Sequence, residues 1–391
     1  MATMRSEWRA SRRGRVPFPW RGLLHRRLRS ALAVSGIGFA VLFMFLQLGF
    51  RSTVANTATA VASRLNGEIL LLSPRFVDFR HPDGIPRERL YQALADPKVA
   101  TVAPLYLRST VWRTPDRSRR CEMIAFGIAL DGEPPLALPG LQELRPLLAR
   151  SDALLVDALT QPKCGPRAAG TLADINDRRR VRVAGQFRLG VGFLTDGAFV
   201  AGEPTYYALF GGQRLARPQI GVVRLRRGVD PGAAAQRLRH ALPSDTRVVT
   251  RAQFEAEQKR FWLTDTAVGN LFTVGTLAGF IVGLVILYQV LSTDIRNQLP
   301  QYATLKAMGY PNADLQRLVL EQAWQFGLLG YLPGLLAALA IYHRGRTTTL
   351  LPLFMTPERA IGVLLLSLAM CTLAALLSAR RLSHADPAEL F

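Results

Sequence analysis

Lysine is nearly missing from this chain: of 49 basic residues only Lys98, Lys163, Lys259 and Lys306 are lysines, and none follows a glycine. A nucleotide-binding P-loop needs Gly-Lys-Ser or Gly-Lys-Thr, because backbone donors and that lysine together hold the phosphates. The chain therefore carries no P-loop and is not itself an ATPase. Histidine is also sparse, and His25, His81, His240, His343 and His384 show no metal-ligand spacing, so neither zinc nor haem is expected. Of three cysteines, Cys371 lies in an apolar run; Cys121 and Cys164 can pair if their segment faces an oxidising compartment, although spacing alone leaves this open.

Charge is absent from four long stretches, 31–50, 266–293, 322–343 and 360–379. Each has about 20 residues or more, enough to cross a bilayer, and in lipid such a run must close its backbone hydrogen bonds internally as a helix. Without Asp, Glu, Lys or Arg inside these spans there is no material for a proton relay or an ion site, which excludes an ordinary secondary transporter. Gln47, Asn270 and Gln289 are the polar exceptions, and bonds between helices are expected of them.

The spans are arranged one then three, around a polar segment at 51–265. Arg21, Arg26, Arg27 and Arg29 precede the first span, and Arg380 and Arg381 follow the last. By the positive-inside rule both termini are cytoplasmic, and the long segment lies outside, in the periplasm of an inner-membrane protein. Residues 1–30 form a basic leader in which Trp20, Leu23, Leu24 and Leu28 share one helical face, as in an interfacial helix; an ordinary basic flank is the alternative. A cleaved signal peptide ending near Ala58-Thr59-Ala60 competes, but the apolar run exceeds the usual 7 to 15 residues. The net charge of +21 raises nucleic acid as a partner. Dispersed arginines without interleaved aromatics point instead to an anionic membrane surface.

Within 51–265, short apolar strands alternate with modest helices, predicting an α+β domain of one or two lobes. Thr250-Arg251-Ala252-Gln253 has the form of a capping box and starts a helix at about 251. No proline follows until Pro300, so an unbroken stalk on the order of 70 Å is expected, with Gly269 as its weak point. In the second span Gly275, Gly279 and Gly283 recur every four residues on one face, where helices can approach closely; a homodimer seam is the sharper expectation.

Residues 294–321 form the one substantial cytoplasmic loop between spans. Pro300 can open a short helix, Gly309 can close it in the left-handed conformation, and Tyr310-Pro311 stops the chain before Asn312 starts the next helix. A short crosswise helix displaying Tyr302, Thr304, Leu305, Lys306 and Met308 suits docking in a partner's groove. The loop 344–359 lies outside and the tail 380–391 inside.

The run Leu299-Pro300-Gln301-Tyr302-Ala303-Thr304-Leu305-Lys306-Ala307-Met308-Gly309-Tyr310 resembles the coupling segment of DevC-type permeases, a branch of the MacB/FtsX superfamily of ABC transporters. The ending Ala385-Asp386-Pro387-Ala388-Glu389-Leu390-Phe391 is similar to the family's C-terminal signature. Residues 39–51, Leu65-Asn66 and Leu71-Leu72-Ser73-Pro74 resemble its first span and entry strand. Leu90-Tyr91-Gln92-Ala93-Leu94 and Ala103-Pro104-Leu105-Tyr106 match in the outer domain. The resemblance implies a homodimeric permease with a separate ATPase subunit that binds ATP and magnesium, seated on the helix around 304–309. It further implies a periplasmic membrane-fusion adaptor and a TolC-type outer-membrane channel, with lipid-like cargo. An FtsX-like scaffold that activates a periplasmic hydrolase, or a lipoprotein-release permease, shares this topology.

Overall fold

The computed structural model describes residues 27–383, apart from 115, 117, 178, 193, 309–310 and 349–352. In chain order its main elements begin with helix α1 (Arg27–Ala60), strand β1 (Ile69–Leu72), α2 (Glu88–Leu94), β2 (Val99–Arg113) and β3 (Arg120–Ile128). Next come β4 (Ala153–Asp157), β5 (Leu172–Ile175), β6 (Arg179–Phe187), β7 (Gly197–Gly202), α3 (Glu203–Phe210) and β8 (Ile220–Leu225). They end with α4 (Pro231–Ala241), β9 (Arg247–Thr250), α5 (Arg251–Arg260), α6 (Ala267–Asn297), α7 (Leu299–Ala307), α8 (Asn312–Thr348) and α9 (Pro357–Ser383). These elements fall into two compact units, one of 50–271 with 343–354 and one of the remaining segments.

The first unit is built on a nine-stranded mixed sheet of order β3-β7-β4-β6-β5-β2-β8-β1-β9, and β3 also pairs with β2, so six strands close on themselves. β2 makes this possible by length. Its first half pairs with β8 through Leu105↔Ile220, while its second half pairs with β3 from Leu105↔Ile128 to Arg113↔Arg120. The question of one lobe or two thus resolves into two hydrophobic cores on one continuous sheet. One core gathers Tyr106, Trp112, Met123, Val156, Val181 and Phe199; the other gathers Ile69, Leu71, Leu90, Val223, Leu238 and Val248. Cys121 and Cys164 are buried in the first core and are disulfide-bonded, tying β3 to the loop after β4.

Local chemistry explains where the helices start. Asp230 accepts from the Ala233 amide at 2.7 Å ahead of Pro231 at the first turn of α4, a position where proline's missing donor costs nothing. The expected capping box opens α5: Gln253 N donates to Thr250 Oγ1 at 3.2 Å and Thr250 N to Gln253 Oε1 at 3.1 Å. α5 is fastened by Phe254, which packs with Phe76 and Phe79 at ring separations of 5.8 and 5.6 Å, and by Gln258 Nε2, which donates to Val77 O.

The long unbroken stalk is not what forms. After α5 the chain makes a π turn at Phe261–Asp265, and Thr266 is extended at φ −102°, ψ 151°, so the helical ladder stops before α6 begins. Thr266 Oγ1 donates to Trp262 O at 2.8 Å and takes over part of the lost bonding. Gly269 is the residue that lets this break close, because a Cβ there would collide with the Leu263 backbone.

The second unit is a bundle. α1, α6, α8 and α9 supply four segments long and apolar enough to cross a membrane. They are packed by a core that includes Ile37, Phe45, Leu287, Val319, Phe326, Met370 and Ala374.

Candidate functional site

The short helix expected between the second and third spans is present as α7, joined to α6 by a tight connection. Gln298 N donates to Asp294 O at 3.0 Å, and Gln301 and Tyr302 donate back to Gln298 O at 3.0 Å each. The backbone thus turns without leaving its donors bare. α7 has nine residues, too few to persist alone in water, so its position depends on what it packs against.

Its anchor is Tyr302. The sequence pattern offers this ring to a partner, but the structure buries it to 9 % exposure in the bundle core, with Ile295 at the end of α6 and Leu315 and Val319 on α8 in the same cluster. Burial, and then the charge of Asp294, raise its phenol above the ordinary value. Tyr302 thus faces inward: a nine-residue helix flanked by two long ones turns its largest side chain to the core, where aromatic burial is most favourable. Gln322 Nε2 on α8 donates to Asp294 Oδ2 at 3.0 Å, joining the two long helices beside this anchor.

Of the residues expected to be displayed, Thr304 and Met308 face outward. Thr304 is exposed, and its hydroxyl donates to Pro300 O at 2.8 Å; Met308 is 56 % exposed just past the last turn. Leu305 and Lys306 lie on α7, and their side chains, like Gly309, lie outside the described residues. The site offers a polarisable thioether on a short fixed helix, a surface able to fill an irregular groove.

The glycines of α6 face a different neighbour from the one expected. A Cβ on Gly275 would meet Gln47, on Gly279 would meet Phe43 and Met44 at 3.0 and 3.2 Å, and on Gly283 would meet Ala40 at 2.9 Å and Met370. The face assigned to a second copy is thus filled by α1 and α9 of the same chain. A second glycine set, in α8, was not singled out from the sequence. Gly330 and Gly334 bring α8 to within backbone distance of α1: a Cβ on Gly334 would stand 2.8 Å from Gly38 O, and one on Gly330 2.6 Å from Ile37. Gly327 does the same against Cys371 of α9. The Gly327, Gly330, Gly334 spacing was readable as a close-packing signal.

The polar residues of the spans also differ from expectation. Gln47 packs on Gly275 with its Oε1 buried and unbonded among the described residues, while Asn270 donates to Thr264 O at 3.3 Å, within the turn rather than across helices. Besides the Gln322 to Asp294 bond, bonds that cross helices use hydroxyls and an indole: Tyr342 to Phe45 O, Tyr331 to Ala360 O at 2.9 Å, and Trp324 Nε1 to Thr372 at 3.1 Å.

Residues 273–387 match the family described as FtsX-like permease C-terminal, a segment that spans α6 to α9 and contains α7. With the four apolar helices, this defines a multi-pass membrane protein carrying an FtsX-like permease region. No curated protein matches the sequence. Among solved structures, the periplasmic region of MacB from Actinobacillus actinomycetemcomitans is similar at 11 % identity and a TM-score of 0.35, covering 50 % of this chain and 94 % of that one. The extracellular domain of the noncanonic ABC-type transporter YknZ from Gram-positive bacteria is similar at 13 % identity and a TM-score of 0.32, covering 46 % and 98 %. Likenesses of this strength carry no functional argument.

Proposed function

We propose that the chain is the membrane-embedded permease subunit of an ATP-driven ABC exporter of the MacB/FtsX superfamily, in the DevC-like branch, working as a homodimer. The observation that carries this reading is α7: a short helix between two membrane-length helices, in a region matching an FtsX-like permease, anchored inward by Tyr302 and open outward at Thr304 and Met308. A separate ATPase, which holds ATP and magnesium, seats on that outward side. Its closure moves α7, and Tyr302 with the Asp294 to Gln322 bond passes the movement to α6 and α8. The extramembrane domain works with a periplasmic adaptor and a TolC-type channel to export a lipid-like or amphiphilic cargo. Both termini are cytoplasmic in the inner membrane. The disulfide supports this orientation, since such bonds persist on the oxidising side.

The test is reconstitution of the chain with its ATPase in vesicles. Met308→Asp or Leu305→Asp places an unpaired charge in the docking surface. Either should weaken ATPase association about tenfold, roughly 1.4 kcal/mol, and abolish stimulation of hydrolysis while the thermal melt of the permease is unchanged. Stimulation that survives both substitutions defeats the assignment of α7 as the coupling element.

A further inference from the structure

Along the sequence, basic residues flank the span ends that adjoin the disulfide-bonded domain. Because consecutive spans alternate in direction, four span ends fall on one side: the end of the first span at Arg51, the approach to α6 at Lys259 and Arg260, the end of α8 at Arg344 and Arg346, and the start of α9, where Arg359 follows the exposed Glu358 and lies over the Tyr342 ring. Short translocated loops are ordinarily poor in arginine, so this placement runs against the usual charge bias.

The pairing pattern sets these residues apart. On the sheet domain many cations are matched: Arg89 with Asp245, Arg113 with Asp177, Arg180 with Asp174, Arg224 with Glu133 and Arg247 with Glu257. Among the described residues, none of Arg51, Lys259, Arg260, Arg344 and Arg346 forms an ion pair with a carboxylate. The acids nearest in sequence to Lys259 and Arg260 are already engaged: Glu255 with Arg251, Glu257 with Arg247, and Asp265 with the Thr264 hydroxyl. Arg51 is half-buried with its Nε shielded and lacking an acceptor. Lys259, Arg260, Arg344 and Arg346 are exposed, and the Arg346 guanidinium lies 4.4 Å over the ring of the exposed Phe354. This cation–π contact holds the Arg346 charge in the short segment between α8 and α9.

We infer that this set is a binding surface for the phosphate-bearing headgroups of anionic lipid in the leaflet on the domain side. Position selects the occupant: the residues flank apolar spans, so the anions they meet first are headgroups. Arginine forks match phosphate oxygens in pairs, and each cation held at an anionic surface is worth about fivefold in preference. The inference rests on the span topology and stands apart from the permease reading, so loss of ATPase coupling leaves it untouched.

The experiment uses the full chain in nanodiscs of equal phosphatidylglycerol and phosphatidylcholine, with retained lipid measured by native mass spectrometry. The wild type should retain phosphatidylglycerol over phosphatidylcholine by about fivefold or more. The triple variant Arg260→Gln, Arg344→Gln, Arg346→Gln should lose most of that preference, and replacing the same three with lysine should keep most of it. Removing an equal charge at exposed Arg188, Arg226 and Arg227 should leave it unchanged. No preference in the wild type, or equal loss in the second glutamine triple, overturns the proposal. Displacement of the retained lipid by soluble glycerol phosphate or inorganic phosphate overturns the headgroup as the source of the anion.

Discussion

The sheet domain and the helix bundle solve the same packing problem with opposite materials. In the domain, side chains fill two hydrophobic cores, a disulfide crosses one of them, and matched charges cover the surface. In the bundle, absent side chains do much of the packing: Gly38, Gly279, Gly330 and Gly334 let helix backbones approach until dispersion holds them. Water explains the contrast. A domain surrounded by it gains by burying large apolar groups, whereas in lipid that gain vanishes and contact distance takes its place. Each strategy therefore fails in its own way: the domain when something is removed, the bundle when something is added.

The largest effect should come from removal. Replacing Cys121 and Cys164 with alanine should cost the domain about 2 to 5 kcal/mol, seen as a lower-temperature melt of the full chain that reducing agent reproduces in the wild type but not in the variant. Addition should break the bundle: Gly334→Leu drives a branched side chain into Gly38 O and Val41, at an overpacking cost of about 1 to 3 kcal/mol, read as loss of monodisperse protein in detergent. The same substitution at exposed Gly211 or Gly228 makes a poor control, because both have positive φ. Gly362, with open space around it, is the proper one.

A smaller and sharper test lies at Asp157. Its buried carboxylate accepts from the amides of Leu159, Leu189 and Gly190 at 3.0, 3.1 and 2.7 Å. Burial nonetheless raises its carboxyl above the ordinary value, with these amides opposing. A folded value above the unfolded one means that the native state holds its proton longer. Stability from this site is therefore greatest below the ordinary carboxylate range and declines as pH rises through the raised value. Asp157→Asn should remove that slope and cost about 1 to 3 kcal/mol when its amide meets amide donors. A pH series of thermal melts reads both effects, and a wild-type curve that instead gains stability across that window contradicts the assignment.

Much of this architecture was legible in the residues because it is written in local chemistry. The four apolar runs, the capping box at Thr250 and Gln253, and the short helix after Pro300 each depend on neighbours within a few positions. What was not legible depends on distant partners. Spacing told which face of α6 is small, but not that α1 would fill it. Tyr302 sits in a run that invites a partner, yet the two flanking helices claim its ring first. β2 runs on to Arg113 because β3 and β5 both pair with its second half. Thr266 breaks a segment free of proline, a position that helix propensity alone does not mark.

That break changes what kind of connector the segment 251–297 is. A continuous rod would carry one backbone ladder from end to end; here side chains bridge the interruption, Thr266 Oγ1 donating to Trp262 O and Asn270 Nδ2 to Thr264 O. The joint therefore depends on one hydroxyl and one amide, groups that a point substitution can remove.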